Sequence, residues 1–212
     1  MAQGDKPREY SSPVCYAADP AAAPSGWNEI RAWRKAQRAQ MIAHRMGRDA
    51  TERQRLSEQI IESLRRAIDV ARYPVLGLYW PIRGEIDLRE FARRHVEAGG
   101  VVGLPVVVQD AAPVEFWRWR PGVALKRGHW NIPVPPQREL VCPGLLVVPL
   151  VGFDSGRYRL GYGGGFYDRT LAAANPRPRT IGIGFADAQL PSIHPQSHDI
   201  PMDVIVTELS GL

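Results

Sequence analysis

The sequence predicts an α/β fold: a three-layer single domain with a mostly parallel central sheet and an N-terminal pair of helices. Continuous apolar runs that alternate with helical patterns are typical of buried parallel strands covered by helices. The chain has 212 residues, 44% apolar and 23% charged, which is the composition of a globular protein. We expect residues 28–212 to form this domain. Residues 1–27, which hold four of the 19 prolines, are predicted to be a mobile arm.

Two helices are predicted in residues 25–73, where proline is absent. Asn28 is a candidate N-cap of the first helix, and Asp49 with Glu52 forms a candidate capping box for the second. The first helix has a thin apolar stripe of Ile30, Trp33 and Met41. The second has a wider apolar face, made of Leu56, Ile60, Leu64, Ala67, Ile68 and Ala71.

The positive charge of the chain is concentrated in these two helices. Residues 25–73 contain 11 Lys and Arg against six Asp and Glu, a surplus of five, and the formal net charge of the whole chain is +5. Cations at i, i+3, i+4 and i+7 form a basic stripe on the first helix, namely Arg31, Arg34, Lys35 and Arg38. Such a stripe is either a solvated helix face or a surface for an anionic ligand.

Apolar runs beyond Pro74 predict the strands of the sheet. They cover residues 74–80, 100–108, 114–120, 144–150, 180–185 and 204–207. A helix opened by a capping box of Asp87 and Glu90 is predicted between the first two strands. The alternation Trp117-Arg-Trp-Arg120 fits an edge strand, and it equally fits a site for single-stranded nucleic acid. Residues 121–143, rich in Pro and Gly, predict a long irregular connection.

The most informative segment is Arg159-Leu-Gly-Tyr-Gly-Gly-Gly-Phe-Tyr-Asp168-Arg169, which follows an apolar strand and opens a predicted helix. Glycines let backbone N–H groups approach a phosphate, and a helix N-terminus adds partial positive charge. Arg159 can clamp phosphate oxygens, and an acid at Asp168 beside phosphate indicates Mg²⁺. The segment lacks the GK[ST] of a Walker A loop, and a dinucleotide GxGxxG would need glycine at Phe166. A glycine-rich turn without a ligand is the alternative.

This segment resembles the signature of the 5-formyltetrahydrofolate cyclo-ligase family, the methenyltetrahydrofolate synthetases. The resemblance extends over roughly residues 30–208, through the motifs Trp80-Pro-Ile-Arg-Gly-Glu85-Ile-Asp, Trp130-Asn-Ile-Pro133, residues 146–154 and residues 198–207. It implies an ATP-dependent cyclisation. In that reaction the formyl oxygen of 5-formyltetrahydrofolate attacks the γ-phosphate, and N10 then displaces phosphate to give 5,10-methenyltetrahydrofolate.

The resemblance also implies roles for individual residues. ATP would be bound by Arg34, Lys35, Arg38, Arg159, Leu160, Gly161, Tyr162, Gly163, Gly164, Gly165, Phe166 and Tyr167. The folate would contact Trp80, Glu85, Trp130, Tyr162, Gly163, Gly164, Gly165 and Phe166, with Glu85 bonded to the pterin ring. Asp168 and Asp199 would hold Mg²⁺. The family's Lys and Arg of the first helix fall here on Arg34 and Arg38, or on Lys35 and a displaced partner. Trp130 could stack on the pterin or fill the core.

These expectations describe a cytoplasmic, monomeric enzyme with small-molecule substrates, ATP and 5-formyltetrahydrofolate with or without a polyglutamate chain. No nucleic-acid or membrane partner is predicted. The longest apolar run is far shorter than the ~20 residues of a membrane helix. Cys15 and Cys142 are too few for a disulfide scaffold. Two alternatives stay open: a folate- or nucleotide-binding module of the same fold without turnover, and a nucleic-acid binder that uses the basic helices.

Overall fold

The structure, a computed structural model, describes residue 24 and residues 26–210. Most of the predicted arm, residues 1–27, therefore lies outside the described residues. The four helices of the described part are α1 Trp27–Gly47, α2 Ala50–Ala67, α3 Arg89–Glu97 and α4 Phe166–Ala173. Its strands are β1 Val75–Gly77, β2 Val101–Val106, β3 Glu115–Trp119, β4 Lys126–Arg127, β5 Pro133–Val134, β6 Leu145–Pro149, β7 Gly152–Phe153, β8 Arg159–Leu160, β9 Arg179–Ile183 and β10 Val204–Val206. None of these helices is long and apolar enough to cross a membrane.

Six strands form the central sheet in the order β10-β9-β6-β1-β2-β3. Neighbouring strands from β10 to β2 are parallel, and β3 pairs antiparallel with β2 at one edge. The short pairs β4–β5 and β7–β8 lie outside this sheet. The prediction of an α/β domain with a mostly parallel sheet is confirmed.

The core lies on both faces of the sheet, because alternate side chains of a strand point to opposite sides. In β6, Leu145 and Val147 belong to the larger apolar cluster, which includes residues of α2 and α3. Leu146 and Val148 belong to a second cluster with Leu171 of α4. The layers are therefore helices, sheet and helix, as the sequence predicts.

Arginines, more than apolar side chains, dock α1 on the domain. Its buried residues are Ile30, Arg34 and Arg45, whereas Trp33 of the predicted apolar stripe is half-buried against the ring of His194. The helix also begins earlier than predicted. It starts at Trp27 with Gly26 in the N-cap position, so the N-cap assignment of Asn28 is wrong.

The starts of α2 and α3 test two predicted capping boxes. Asp49 caps α2 as predicted, since its Oδ1 accepts the N–H groups of Thr51 and Glu52 at 2.9 and 3.1 Å. The box at Asp87 is wrong by one residue, because Leu88 is the N-cap of α3. Its intended partner Glu90 instead binds arginines three and four residues further along α3.

The edge strand β3 accounts for the alternating Trp and Arg residues. Trp117 and Trp119 are buried, while Arg118 and Arg120 bind Glu139 at 3.1 and 2.7 Å. The two tryptophans share one covered face of the strand, and Phe116 on the opposite face is buried as well. The pattern therefore needs no nucleic acid to explain it.

Candidate active site

The candidate site lies where the direction of the sheet connections changes. The chain leaves β1 through α3 to β2 on one side, and leaves β6 through α4 to β9 on the other. In open α/β sheets, ligands bind beside the carboxyl ends of strands at such a switch point. The loop after β1 carries Glu85, and the segment after β6 carries the glycine loop, residues 161–165. A hydrogen bond of 2.9 Å from the Tyr162 hydroxyl to Glu85 Oε1 joins the two.

The glycine loop has backbone conformations and close contacts that favour glycine. Gly163 has φ +97° and Gly165, the N-cap of α4, has φ +65°. A Cβ atom on Gly164 would lie 2.6 Å from the ring of Phe166. Because these positions carry no side chains, the loop and the N-terminus of α4 offer backbone N–H groups to an anion at close range.

Arg38 of α1 faces this loop. A Cβ atom on Gly163 would lie 3.3 Å from the guanidinium carbon of Arg38. The Nε atom of Arg38 is buried without a hydrogen-bond partner among the described residues. Burial lowers the pKa of Arg38, and the charge of Arg34 lowers it further. A buried, unpaired cationic donor beside a glycine loop is what a bound phosphate would satisfy.

The other two predicted cations of α1 are placed differently. Arg34 is buried, and it donates from Nε to the Ile193 carbonyl (2.9 Å) and from Nη2 to Asp199 Oδ2 (2.6 Å). Lys35 is exposed. Of these three side chains, Arg38 alone combines contact with the glycine loop and an unpaired buried donor.

Arg159 is also occupied within the protein. Its Nη2 lies 2.9 Å from Asp168 Oδ2, and its Nη1 donates to the Ile200 carbonyl at 3.0 Å. Its side chain is only 5% exposed, and the guanidinium lies over the ring of Tyr167. These contacts tie the start of the loop to α4 and to the segment before β10.

Glu85 is a buried carboxylate held by two donors. Its Oε1 accepts from Tyr162, and its Oε2 accepts the N–H of Ile82 at 2.9 Å. Burial raises the pKa of Glu85, and these hydrogen bonds oppose that rise. Burial also raises the pKa of Tyr162, and the charge of Glu85 adds to it, so this hydroxyl keeps its proton.

Two predicted folate contacts flank these groups. Trp130 is 56% exposed, with φ +52°, and its ring lies 5.7 Å from that of Phe166 at the glycine loop. The alternative that Trp130 fills the core is therefore wrong, whereas stacking on a ligand stays a prediction. Trp80 is half-buried against the larger apolar cluster, and the Arg89 guanidinium lies 5.6 Å from its ring.

The sequence analysis missed Arg45. This side chain is buried and donates from Nη2 to the Tyr162 hydroxyl at 2.8 Å. The signal was available, because Arg45 follows Arg38 by seven residues and so lies on the same face of α1. The predicted basic stripe ends at Arg38 and so leaves Arg45 out.

Asp168 and Asp199 lie near each other, since Asp168 Oδ1 accepts the N–H of Ile200 at 3.0 Å. Each carboxylate is paired with an arginine. The described part of the chain holds no group of three or more His, Cys, Asp or Glu residues suited to a metal. Mg²⁺ is commonly held by one or two carboxylates together with substrate phosphates, and the assignment of these two residues to Mg²⁺ stays a prediction.

Comparisons with known proteins agree with this geometry. The sequence model of the 5-formyltetrahydrofolate cyclo-ligase family matches residues 30–208 of this chain. The chain is 34% identical to the 5-formyltetrahydrofolate cyclo-ligase of Mycolicibacterium smegmatis over 142 residues, covering 63% of this chain and 73% of the relative. It is 30% identical to that of Escherichia coli K12 over 167 residues, covering 74% and 90%.

Solved structures agree in fold as well as in sequence. The NMR structure of Aquifex aeolicus 5,10-methenyltetrahydrofolate synthetase matches with a TM-score of 0.72 and 30% identity, over 84% of this chain and 90% of that one. A synthetase from Mycoplasma pneumoniae has the same fold, with a TM-score of 0.66 and 23% identity over 82% and 98% of the two chains. By its motifs, its fold and these relatives, the chain belongs to the 5-formyltetrahydrofolate cyclo-ligase family.

Proposed function

We propose that this protein catalyses the ATP-dependent cyclisation of 5-formyltetrahydrofolate to 5,10-methenyltetrahydrofolate, with release of ADP and phosphate. The observation that carries the proposal is the crevice at the switch point. There, the glycine loop lies beside Arg38, whose buried Nε has no partner among the residues that the structure describes, and Tyr162 joins the loop to the buried carboxylate of Glu85. The glycine loop with Arg38 suits the phosphate chain of ATP. The Glu85 carboxylate suits a planar ring that carries hydrogen-bond donors, such as a pterin.

In the nucleotide half of the site, the glycine loop and Arg38 bind the phosphates of ATP. Arg34 and Arg159 are paired with carboxylates, and they support this half by holding α1 and the loop in place. Lys35 is exposed, and its contact with ATP is proposed on the resemblance alone. Contacts of Leu160 and Tyr167 with ATP are proposed on the resemblance alone.

In the folate half, Glu85 accepts hydrogen bonds from the pterin ring. Tyr162 and the glycine loop separate the two substrates, and Trp130 covers the pterin from the exposed side. Trp80 packs at the base of the Glu85 loop. With the two substrates bound in this way, the formyl oxygen of the folate lies next to the γ-phosphate of ATP, above the glycine loop.

The chemistry needs positioning and charge neutralisation more than covalent catalysis. The formyl oxygen attacks the γ-phosphorus and ADP leaves. N10 then attacks the activated carbon, the C–O bond to phosphate breaks, and N10 loses its proton. Arg38 and the N–H groups of the loop oppose the negative charge on the phosphoryl oxygens throughout.

Mg²⁺ would be held by Asp168 and Asp199 together with phosphate oxygens. When bound, it would neutralise charge on the β- and γ-phosphates. We further propose that the protein acts as a monomer in the cytoplasm, on folates with or without a polyglutamate chain. The two cysteines fit a reducing compartment.

The experiment is direct. Purified protein is mixed with 5-formyltetrahydrofolate and Mg-ATP, and the methenyl absorbance is followed in the near ultraviolet, with ADP measured in parallel. We expect both to rise together, and neither to rise with a non-hydrolysable ATP analogue. If calorimetry shows folate binding while no ADP is released, the protein is a binding module without turnover. That outcome would overturn the proposal.

A further inference from the structure

Arg45 connects three segments of the candidate site. Its Nε donates to the Arg83 carbonyl (3.0 Å), its Nη1 to the Leu150 carbonyl (3.1 Å), and its Nη2 to the Tyr162 hydroxyl (2.8 Å). These partners belong to the Glu85 loop, the segment after β6 and the glycine loop. Arg45 is 7% exposed, so this arrangement is shielded from water.

These contacts fix the direction of the hydrogen bond between Tyr162 and Glu85. A guanidinium has only donors, so the Tyr162 oxygen accepts from Arg45 and must direct its own hydrogen elsewhere. The hydroxyl lies 2.9 Å from Glu85 Oε1, which can accept it. Without Arg45, the same hydroxyl could rotate away or act as an acceptor.

We propose that Arg45 is a positioning residue for the folate: it orients the Tyr162 hydroxyl toward Glu85 and keeps the buried Glu85 carboxylate charged and accepting. The inference rests on the proposed function, in which Glu85 binds the pterin ring. It assigns Arg45 no contact with either substrate.

The charges around Glu85 support this role. Burial raises the pKa of Glu85, and the charges of Arg45 and Arg83 oppose the rise. Tyr79, Tyr162 and Tyr167 also face this carboxylate, and burial raises the pKa of each of them, so all three are neutral at physiological pH. Arg83 is exposed and its charge is screened by solvent, whereas that of Arg45 is buried.

The test compares Arg45→Met with Arg48→Met. Both remove a buried cation near the end of α1, but Arg48 binds Asp187 instead of Tyr162. We expect Arg45→Met to raise KM for 5-formyltetrahydrofolate about tenfold, the effect of losing a charge-assisted hydrogen bond, with KM for ATP changed less than about twofold. The acid limb of folate binding should move to higher pH, because the carboxylate loses its buried counter-charge. Arg48→Met should do neither.

Two further variants keep the proposal testable if Arg45→Met folds poorly. Arg45→Lys keeps the positive charge but lacks the planar guanidinium. It should therefore return the acid limb of folate binding to its wild-type pH, and it should reverse the rise in KM for 5-formyltetrahydrofolate only in part. Tyr162→Phe combined with Arg45→Met should cost little more than the worse single change, since the two act as a unit. Additive effects, an unshifted acid limb, or equal rises in both KM values would overturn the proposal. Folate binding measured by calorimetry decides it even if the wild-type protein forms no methenyl product.

Discussion

Replacing Arg38 with methionine should weaken ATP binding without weakening the fold. Methionine retains most of the unbranched stem, but it lacks the guanidinium, whose Nε is buried and unpaired among the described residues. A buried donor without a partner costs about 1–3 kcal/mol, and a hydrogen bond to a charged group contributes about 1.5–3 kcal/mol. The first effect destabilises the free protein, and the second is realised only when an anion binds.

The substitution is therefore expected to weaken ATP binding without lowering the stability of the free protein. KM for ATP should rise about tenfold or more, since 1.4 kcal/mol corresponds to a factor of ten. The melting temperature of the free protein should stay the same or rise, while the increase caused by added ATP should shrink. Steady-state kinetics and thermal unfolding with and without ATP measure these quantities.

The matched control is Arg31→Met, which makes the same change of charge at an exposed position on the same helix. It should leave both measurements unchanged. The reasoning fails if Arg38→Met binds ATP as well as the wild type does. It fails equally if the variant melts several degrees lower, because Arg38 would then stabilise the free protein.

Three further predictions concern single side chains. Burial raises the pKa of Glu85, so its ionisation reduces the stability of the fold as the pH rises above the ordinary pKa of a glutamate; Glu85→Gln should remove this part of the pH dependence of the melting temperature above about pH 4 and raise KM for the folate. Gly163→Ala, at φ +97°, should lower the free energy of unfolding by about 1 kcal/mol in urea titrations and reduce ATP affinity in calorimetry. Asp154→Ala leaves the N–H groups of Tyr158 and Ile193 without their acceptor. It should lower the free energy of unfolding by about 2 kcal/mol, measured by urea titration.

The strands of the central sheet could be predicted because each one is marked by the pattern of apolar residues within its own short segment. A central strand such as β6 is a continuous apolar run, and the edge strand β3 combines buried apolar residues with half-buried charged ones. Helix ends were less certain, since Asn28 and Asp87 are good caps by residue type but neither occupies the N-cap position. The ends of helices are set by one or two residues, and Asp87 still accepts the N–H of Arg89, the first residue of α3, at 3.0 Å from the position before the N-cap.

The docked face of α1 could not be predicted from periodicity. A pattern analysis assigns arginine to solvent, yet Arg34 and Arg45 are buried because backbone carbonyls and side chains from distant segments accept their hydrogen bonds. The partner Asp199 is 165 residues away from Arg34, and Tyr162 is 117 residues away from Arg45. The resemblance supplied the members of the site, but only the structure shows which arginines are already paired.

That pairing gives Asp199 a structural role in addition to its predicted role as a magnesium ligand. Asp199 and Arg34 are 2.6 Å apart, with side chains only 11% and 9% exposed. Burial raises the pKa of Asp199, but the hydrogen bonds from Arg34 and the Gln196 N–H outweigh it and lower the pKa below its ordinary value. Removing one partner of a buried pair costs about 3–5 kcal/mol, because the other charge is left uncompensated.

Asp199→Asn should therefore lower the free energy of unfolding by about 3 kcal/mol in the presence of a chelator, where no metal contributes. The control Glu62→Gln removes an exposed partner of Arg66 and should cost less than about 1 kcal/mol. If Asp199 served only to bind Mg²⁺, the asparagine variant would be as stable as the wild type without metal and would differ only in Mg-ATP. A loss already present in the chelator means instead that the carboxylate holds α1 against the segment before β10, and a larger loss in Mg-ATP would add the role of metal ligand. Arg38 is then presented to the glycine loop by a helix that Arg34 has already fixed.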